Sequence, residues 1–138
     1  MDKIKFLVKN YQTPPEAISL DENTKILLVA GISGAGKDTI KKQLLKDTEY
    51  RDIVSHTTRP IRSNNGNDEI DGVDYSFISL DKAEEMLIDR QFIEAKFVHG
   101  KVYGTSISQI KQAHDNDQIS ITDIDIEGIS EYKKLSDK

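Results

Sequence analysis

The sequence predicts an α/β fold in which a parallel sheet is flanked by helices. Three observations predict it. Residues 25–30 (KILLVA) form an unbroken apolar run, as in a strand covered on both faces. A glycine-rich turn and a segment with helical spacing follow at once, giving the order strand, loop, helix. Residues 119–124 (ISITDI) then supply a second strand-like run that ends in acidic residues.

Taken in order, residues 1–24 read as an N-terminal extension, because Pro14 and Pro15 interrupt any regular element. Within it Ile4, Phe6 and Val8 alternate with Lys5 and Lys9, the pattern of a strand that would cover a sheet edge. After the first strand, Ile40, Leu44 and Leu45 predict a helix over residues 37–46 with those side chains inward. Ile53 and Val54 mark a short strand. Residues 59–74 are polar and too long for an ordinary turn, and stretches of that kind in compact domains usually carry function. Asp81 with Glu84 resembles a capping box opening a helix through Asp89, with Ala83, Met86 and Leu87 inward. Residues 92–98 and 102–103 read as strands around a turn at His99, Gly100 and Lys101. Ser106 and Gln109 open a further helix to His114, and Ile129, Tyr132 and Leu135 suggest a last short one.

A chain of 138 residues corresponds to one globular domain with a modest core. Its net charge of -5 argues against a nucleic-acid or membrane surface, since binders of polyphosphate backbones carry basic faces. Any phosphate it holds is expected to be a small ligand. No apolar stretch is long enough for a signal peptide or a membrane span, and cysteine is absent, so a cytoplasmic setting is expected. His56, His99 and His114 show no metal-ligand spacing and read as structural or exposed.

Gly31, Ile32, Ser33, Gly34, Ala35, Gly36 and Lys37 match the first seven positions of the eight-residue Walker A pattern, between a buried strand and a helix. Glycines let successive N–H groups curl toward phosphate oxygens, the helix N-terminus adds partial positive charge, and Lys37 adds a full one. A connection without a ligand has no need of a lysine at this offset. Asp38 stands where a Ser or Thr hydroxyl normally holds Mg²⁺, so the expected metal donors are Asp38 itself, directly or through water, with Thr39 as a partial substitute. ATP is the expected occupant.

The acceptor side is carried by residues 55–62 (SHTTRPIR), 69–77 (EIDGVDYSF), 92–94 (FIE) and 100–105 (GKVYGT). Arg59 and Arg62 offer two planar forks that can grip a phosphate monoester, and Tyr75 and Tyr103 can add hydroxyl donors. Glu94 is an acceptor-only carboxylate, suited to the N1–H and amine edge that guanine presents and adenine lacks. Taken singly, such arginines are usually solvated and such tyrosines are usually packing; their convergence with a phosphate loop favours a site.

These segments, with residues 123–128 (DIDIEG), closely resemble the GMP-binding segments and the acidic strand end of guanylate kinases, in order from about residue 25 to 128. The stretch between Arg62 and Tyr75 is a few residues longer than the family's usual loop. The resemblance implies a P-loop NTPase-type sheet formed by residues 25–58 and 116–138, with a small mixed α/β GMP-binding subdomain, residues 59–115, inserted in it. It implies ATP-dependent phosphorylation of GMP to GDP with Mg²⁺, Lys37, Arg59 and Arg62 serving transfer. Ser55, Tyr75, Glu94, Tyr103, Gly104, Thr105 and Asp125 are expected at GMP, and Asp123 near the metal. Full guanylate kinases continue past the position of Lys138, so the lid and last two sheet strands are expected to be missing. The phosphate-loop strand would then lie at an open edge, inviting self-association. Two rivals remain: a related phosphokinase acting on a ribose bisphosphate, which Asp38 favours, and a non-catalytic guanylate-kinase-like binding module, which the intact loop disfavours.

Overall fold

The computed structural model describes residues 2–14, 25–30, 37–64 and 66–124. They fall into two compact units. One combines the chain up to Pro14 with Val54–Ile107; the other combines Pro15–Ile53 with Ser108–Lys138. No helix among the described residues is long and apolar enough to cross a membrane.

The second unit holds a three-stranded parallel sheet. Its strands are β1 (Ile26–Ala30), β9 (Ile119–Ile124) and β2 (Tyr50–Asp52), in the order β1-β9-β2. Ile121, fully buried in the central strand, pairs with both Leu27 and Asp52. β2 lies three residues earlier than the apolar pair Ile53–Val54 suggests, because Ile53 continues the ladder by a single bond, its N–H donating to the Ile121 carbonyl at 2.8 Å. β1 sits at an edge of this sheet among the described residues, and its Leu27 is exposed. The strand is therefore not covered on both faces as its apolar run suggests: an edge strand has a neighbour on one side only.

Helix α2 (Lys37–Leu44) follows β1 and packs on it. Its inward stripe differs from the expected one. Ile40 is exposed, whereas Leu44 and Leu45 are half-buried and Lys41 turns in to meet Asp52 at 3.0 Å, so the stripe is rotated by about one residue.

The first unit is built on a four-stranded mixed sheet of order β6-β3-β8-β7. These strands are β3 (His56–Thr57), β6 (Ser76–Phe77), β7 (Phe92–Val98) and β8 (Lys101–Ser106). β3 pairs parallel with β6 and antiparallel with β8. The β7–β8 hairpin turns on His99 and Gly100, both at positive φ (50° and 77°), the geometry that matches the right-handed twist of the strands. A separate two-stranded hairpin joins β4 (Ser63–Asn64) to β5 (Asn67–Asp68).

Helix α3 (Leu80–Ile88) buries Ala83, Met86 and Leu87 as its spacing predicts. Its N-cap is Ser79 rather than Asp81. Ser79 is extended and its Oγ accepts from Lys82 N–H at 3.0 Å, so the helix starts two residues before the expected box. Helix α4 (Ile107–Asp115) buries Ile110 and Ala113.

Residues 2–14 are no separate extension. Residues Asp2–Lys9 form helix α1, not a strand, and its Ile4 is buried with Ala83, Met86, Leu87, Phe92 and Val102. Ile4, Leu7, Val8 and Tyr11 contact this cluster at helical spacing, a stronger arrangement here than the period-two alternation of Ile4, Phe6 and Val8, which leaves Phe6 exposed. The sequence-based helix near residues 129–135 lies outside the described residues.

Candidate functional site

Residues paired directly across strands share a face of a sheet. Along the four-stranded sheet, Phe77, Thr57, Tyr103 and Lys96 are successive partners on one face, and Glu94 and Thr105 are partners beside them. Ser76, His56, Gly104 and Ala95 line the opposite face, which carries Phe92 and the core. That separation makes one face chemical and the other structural.

On the chemical face, Arg59 is nearly buried, with 8% of its surface exposed. Its position follows from the chain just before it. Thr57 Oγ1 donates to the Val102 carbonyl at 2.9 Å and accepts from Arg59 N–H at 3.1 Å, while Thr58 Oγ1 accepts from Val102 N–H at 2.9 Å. The guanidinium then lies 5.1 Å from the ring centre of Tyr75 and 5.9 Å from that of Phe77. Tyr75 meets Tyr103 edge to face at 6.0 Å.

Glu69 grips this guanidinium as a two-bonded fork: Nη1 donates to Oε1 at 2.8 Å and Nη2 to Oε2 at 2.9 Å. The same carboxylate accepts from Arg62 N–H at 2.8 Å, and Glu69 N–H donates to the Arg62 carbonyl at 2.9 Å. The hydrogen bond to Arg59 holds the Glu69 carboxyl down at about 2, well below its ordinary 4.5, and raises the Arg59 guanidinium further above its own. Arg62 itself is exposed. Arg62 and Glu69 close the base of the β4–β5 hairpin through their backbones, and of the two arginines it is Arg59 whose side chain is brought onto this face.

Toward the other end of the face, Thr105 Oγ1 donates to Glu94 Oε1 at 2.8 Å. Ser55 is half-buried at the entry to β3, its carbonyl accepting from Ser76 N–H at 2.8 Å. Gly104 serves the opposite face: an added methyl would lie 2.7 Å from the Phe92 ring. His56 also lies there, edge-on to Phe92 at 5.9 Å, with burial and then Lys82 lowering its pKa from 6.5.

Of the phosphate-loop candidates, Gly31, Ser33, Gly34, Ala35 and Gly36 lie outside the described residues, as does Asp125 and as do the side chains of Lys37, Asp38 and Asp123. The backbones that flank the loop are described. Val29 pairs with Asp123 and Ala30 with Ile124 in parallel register, so the carboxyl ends of β1 and β9 lie at the same edge of the sheet, the edge at which open α/β sheets bind ligands. Thr39 is exposed in the first turn of α2.

The guanylate kinase family model matches residues 23–137. The chain belongs to the guanylate kinase family. Guanylate kinase 1 of Oryza sativa subsp. japonica is 39% identical over 119 residues, covering 85% of this chain and 30% of the relative. Guanylate kinases of Sulfurimonas denitrificans and Schizosaccharomyces pombe are 40% and 37% identical, covering 75% and 79% of this chain and 48% and 53% of theirs. The chain thus spans about half the length or less of these curated relatives. The crystal structure of guanylate kinase from Anaplasma phagocytophilum superposes with a TM-score of 0.60 at 20% identity, over 94% of this chain and 56% of that one, which establishes the shared fold.

Sequence reasoning about this guanylate kinase family chain brought out Arg59, Tyr75, Tyr103, Glu94 and Thr105, which the structure collects on one face. It missed Glu69 and Phe77, both inside a segment already singled out. An acid set between two arginines and a tyrosine in a long polar loop was the available signal. It also missed Lys96, whose place on the face depends on the register of β7.

Proposed function

We propose that the chemical face of the first unit binds GMP, and that the whole protein transfers the γ-phosphoryl group of ATP to it, yielding GDP, in the cytoplasm. The observation that carries this is the common face shared by the Arg59–Glu69 fork, Tyr75, Tyr103 and the Glu94–Thr105 pair. A mononucleotide needs cations and hydroxyls for its phosphate at one end and a carboxylate for a guanine edge at the other. Groups of both kinds share the face, with β8 between Arg59, which follows β3, and Glu94 on β7, and that supports the reading.

In this assignment Glu69 holds the Arg59 fork in a fixed orientation, and exposed Arg62 adds a second cation to the phosphate. The remaining Arg59 N–H groups and the Tyr75 and Tyr103 hydroxyls complete its contacts. Thr105 orients Glu94 toward N1–H and the exocyclic amine of guanine, with Ser55 and the Gly104 segment nearby. A neutral carboxamide would discriminate less, because part of its edge is a donor.

For the donor, Lys37 and the Walker A amides supply positive charge, with Gly31, Ser33, Gly34, Ala35, Gly36 and Thr39 in the cradle. Asp38 and Asp123 provide the hard oxygen donors that suit Mg²⁺, consistent with the register that brings the carboxyl ends of β1 and β9 together. Mg²⁺ bound there would neutralise charge on the transferring phosphate. Alignment and charge neutralisation are the main demands of this reaction, so no covalent protein intermediate is invoked.

Calorimetric titration of GMP into the chain and its Arg59→Ala and Arg62→Ala variants tests the assignment. Each substitution is expected to weaken GMP by roughly tenfold to hundredfold, the worth of a lost charged hydrogen bond, while ATP binding is retained. Unchanged GMP affinity in both variants would refute it. Titrating a ribose bisphosphate in parallel separates the nucleotide acceptor from a sugar phosphate.

A further inference from the structure

Phe92 and Glu94 stand two residues apart in β7, and in a regular strand they would share a face. They do not. Phe92 pairs with Ser106 on the core face, its ring against Gly104, whereas Glu94 pairs with Thr105 on the chemical face. The ladder slips between them, so Ile93 is the extra residue of a β-bulge. Without the bulge, one of the two side chains would be turned to the wrong face.

A bulge disrupts the ladder, so something else must satisfy its backbone groups. Here that is the segment after α1. The Tyr11 hydroxyl accepts from Phe92 N–H at 2.8 Å and donates to the Phe92 carbonyl. Thr13 Oγ1, largely buried, donates to the carbonyl of Ile93 at 2.8 Å. The segment is anchored upstream by Ile4 in the core and by Lys3 against Glu84 at 2.7 Å. Residues 2–14 precede the stretch matched by the family model, which begins at residue 23.

We propose, resting on the assignment of Glu94 to the acceptor base, that residues 11–13 form a strap that sets the β7 bulge and so fixes Glu94 for base recognition. Tyr11 and Thr13 are then positioning residues that never touch the nucleotide. The strap also covers β7, the edge strand of its sheet.

The test uses the full chain with Tyr11→Phe, which keeps the ring, Thr13→Val as a second variant, and Glu94→Gln as reference. GMP and AMP affinities are measured by calorimetry, and exchange of the Phe92 amide by NMR. Tyr11→Phe is expected to lower the GMP-to-AMP affinity ratio by roughly tenfold, to leave AMP itself little changed, and to speed Phe92 amide exchange. A merely stabilising contact would alter unfolding without moving that ratio. If Glu94→Gln lowers the ratio and both strap variants keep it, the strap proposal is overturned while the acceptor assignment stands. If Glu94→Gln leaves the ratio untouched, the acceptor assignment has failed and the strap loses its role in recognition with it.

Discussion

The two sheets of this chain are held by different means. In the parallel sheet of the second unit, the strands are joined by continuous backbone register, β1 pairing with β9 over five residues and β2 with β9 over three. In the mixed sheet of the first unit, β3 and β6 are only two residues long, and their neighbourhood is fixed by side chains: Thr57 and Thr58 on Val102, Glu69 on Arg59, Tyr11 on Phe92. A sheet built from main-chain register is generic. A sheet built from particular hydrogen bonds can present charged groups at set places, which recognition requires.

That contrast is easiest to break at Phe92, which is fully buried and touches both the bulge and Gly104. Phe92→Ala is expected to cost about 3–5 kcal/mol, the range for emptying a buried aromatic site. Amide exchange should show protection lost across β7 and β8 and retained across β1 and β9. Equal loss in both sheets would mean that they do not differ in the way described.

A smaller effect is expected in the parallel sheet. Ile121→Val removes one methylene from the buried centre of β9 and is expected to cost about 0.5–1.5 kcal/mol by urea unfolding, with GMP affinity unchanged. A change in GMP affinity would blur the division between a structural sheet and a recognising one.

The smallest effect is confined to acid. Because the folded-state pKa of Glu69 lies near 2, below its ordinary 4.5, its contribution to stability is complete above pH 4.5 and is lost as pH falls from there through 2. In Glu69→Gln the decline of stability across that window should be shallower, as measured by urea midpoints at pH 4.5 and 2.5. An unchanged decline would show that folding does not depress this carboxyl.

Much of the architecture was legible in residue order. The spacing of Ala83, Met86 and Leu87 and the hairpin turn at His99 and Gly100 are local signals that folding kept, whereas the apolar run of β1 marks its strand but not its burial, since Leu27 is exposed. α1 was misread because its residues satisfy two periodicities, and only packing against α3 and Phe92 chose the helical one. The start of α3 was misplaced because Ser79 competes with Asp81 for the cap, and the backbone conformation at Ser79 decided it.

By itself the sequence determined the chemistry available: a glycine loop with its lysine, two arginines, two tyrosines and a carboxylate, in an order that the guanylate kinase family shares. Tertiary structure decided which of these meet. Glu69 reaches Arg59 only because a hairpin returns the chain, and Phe92 and Glu94 serve opposite faces only because Ile93 bulges under a strap from the far end of the chain. Each is a contact between residues distant in sequence or a one-residue change of register, and neither leaves a periodic trace for composition or spacing to reveal.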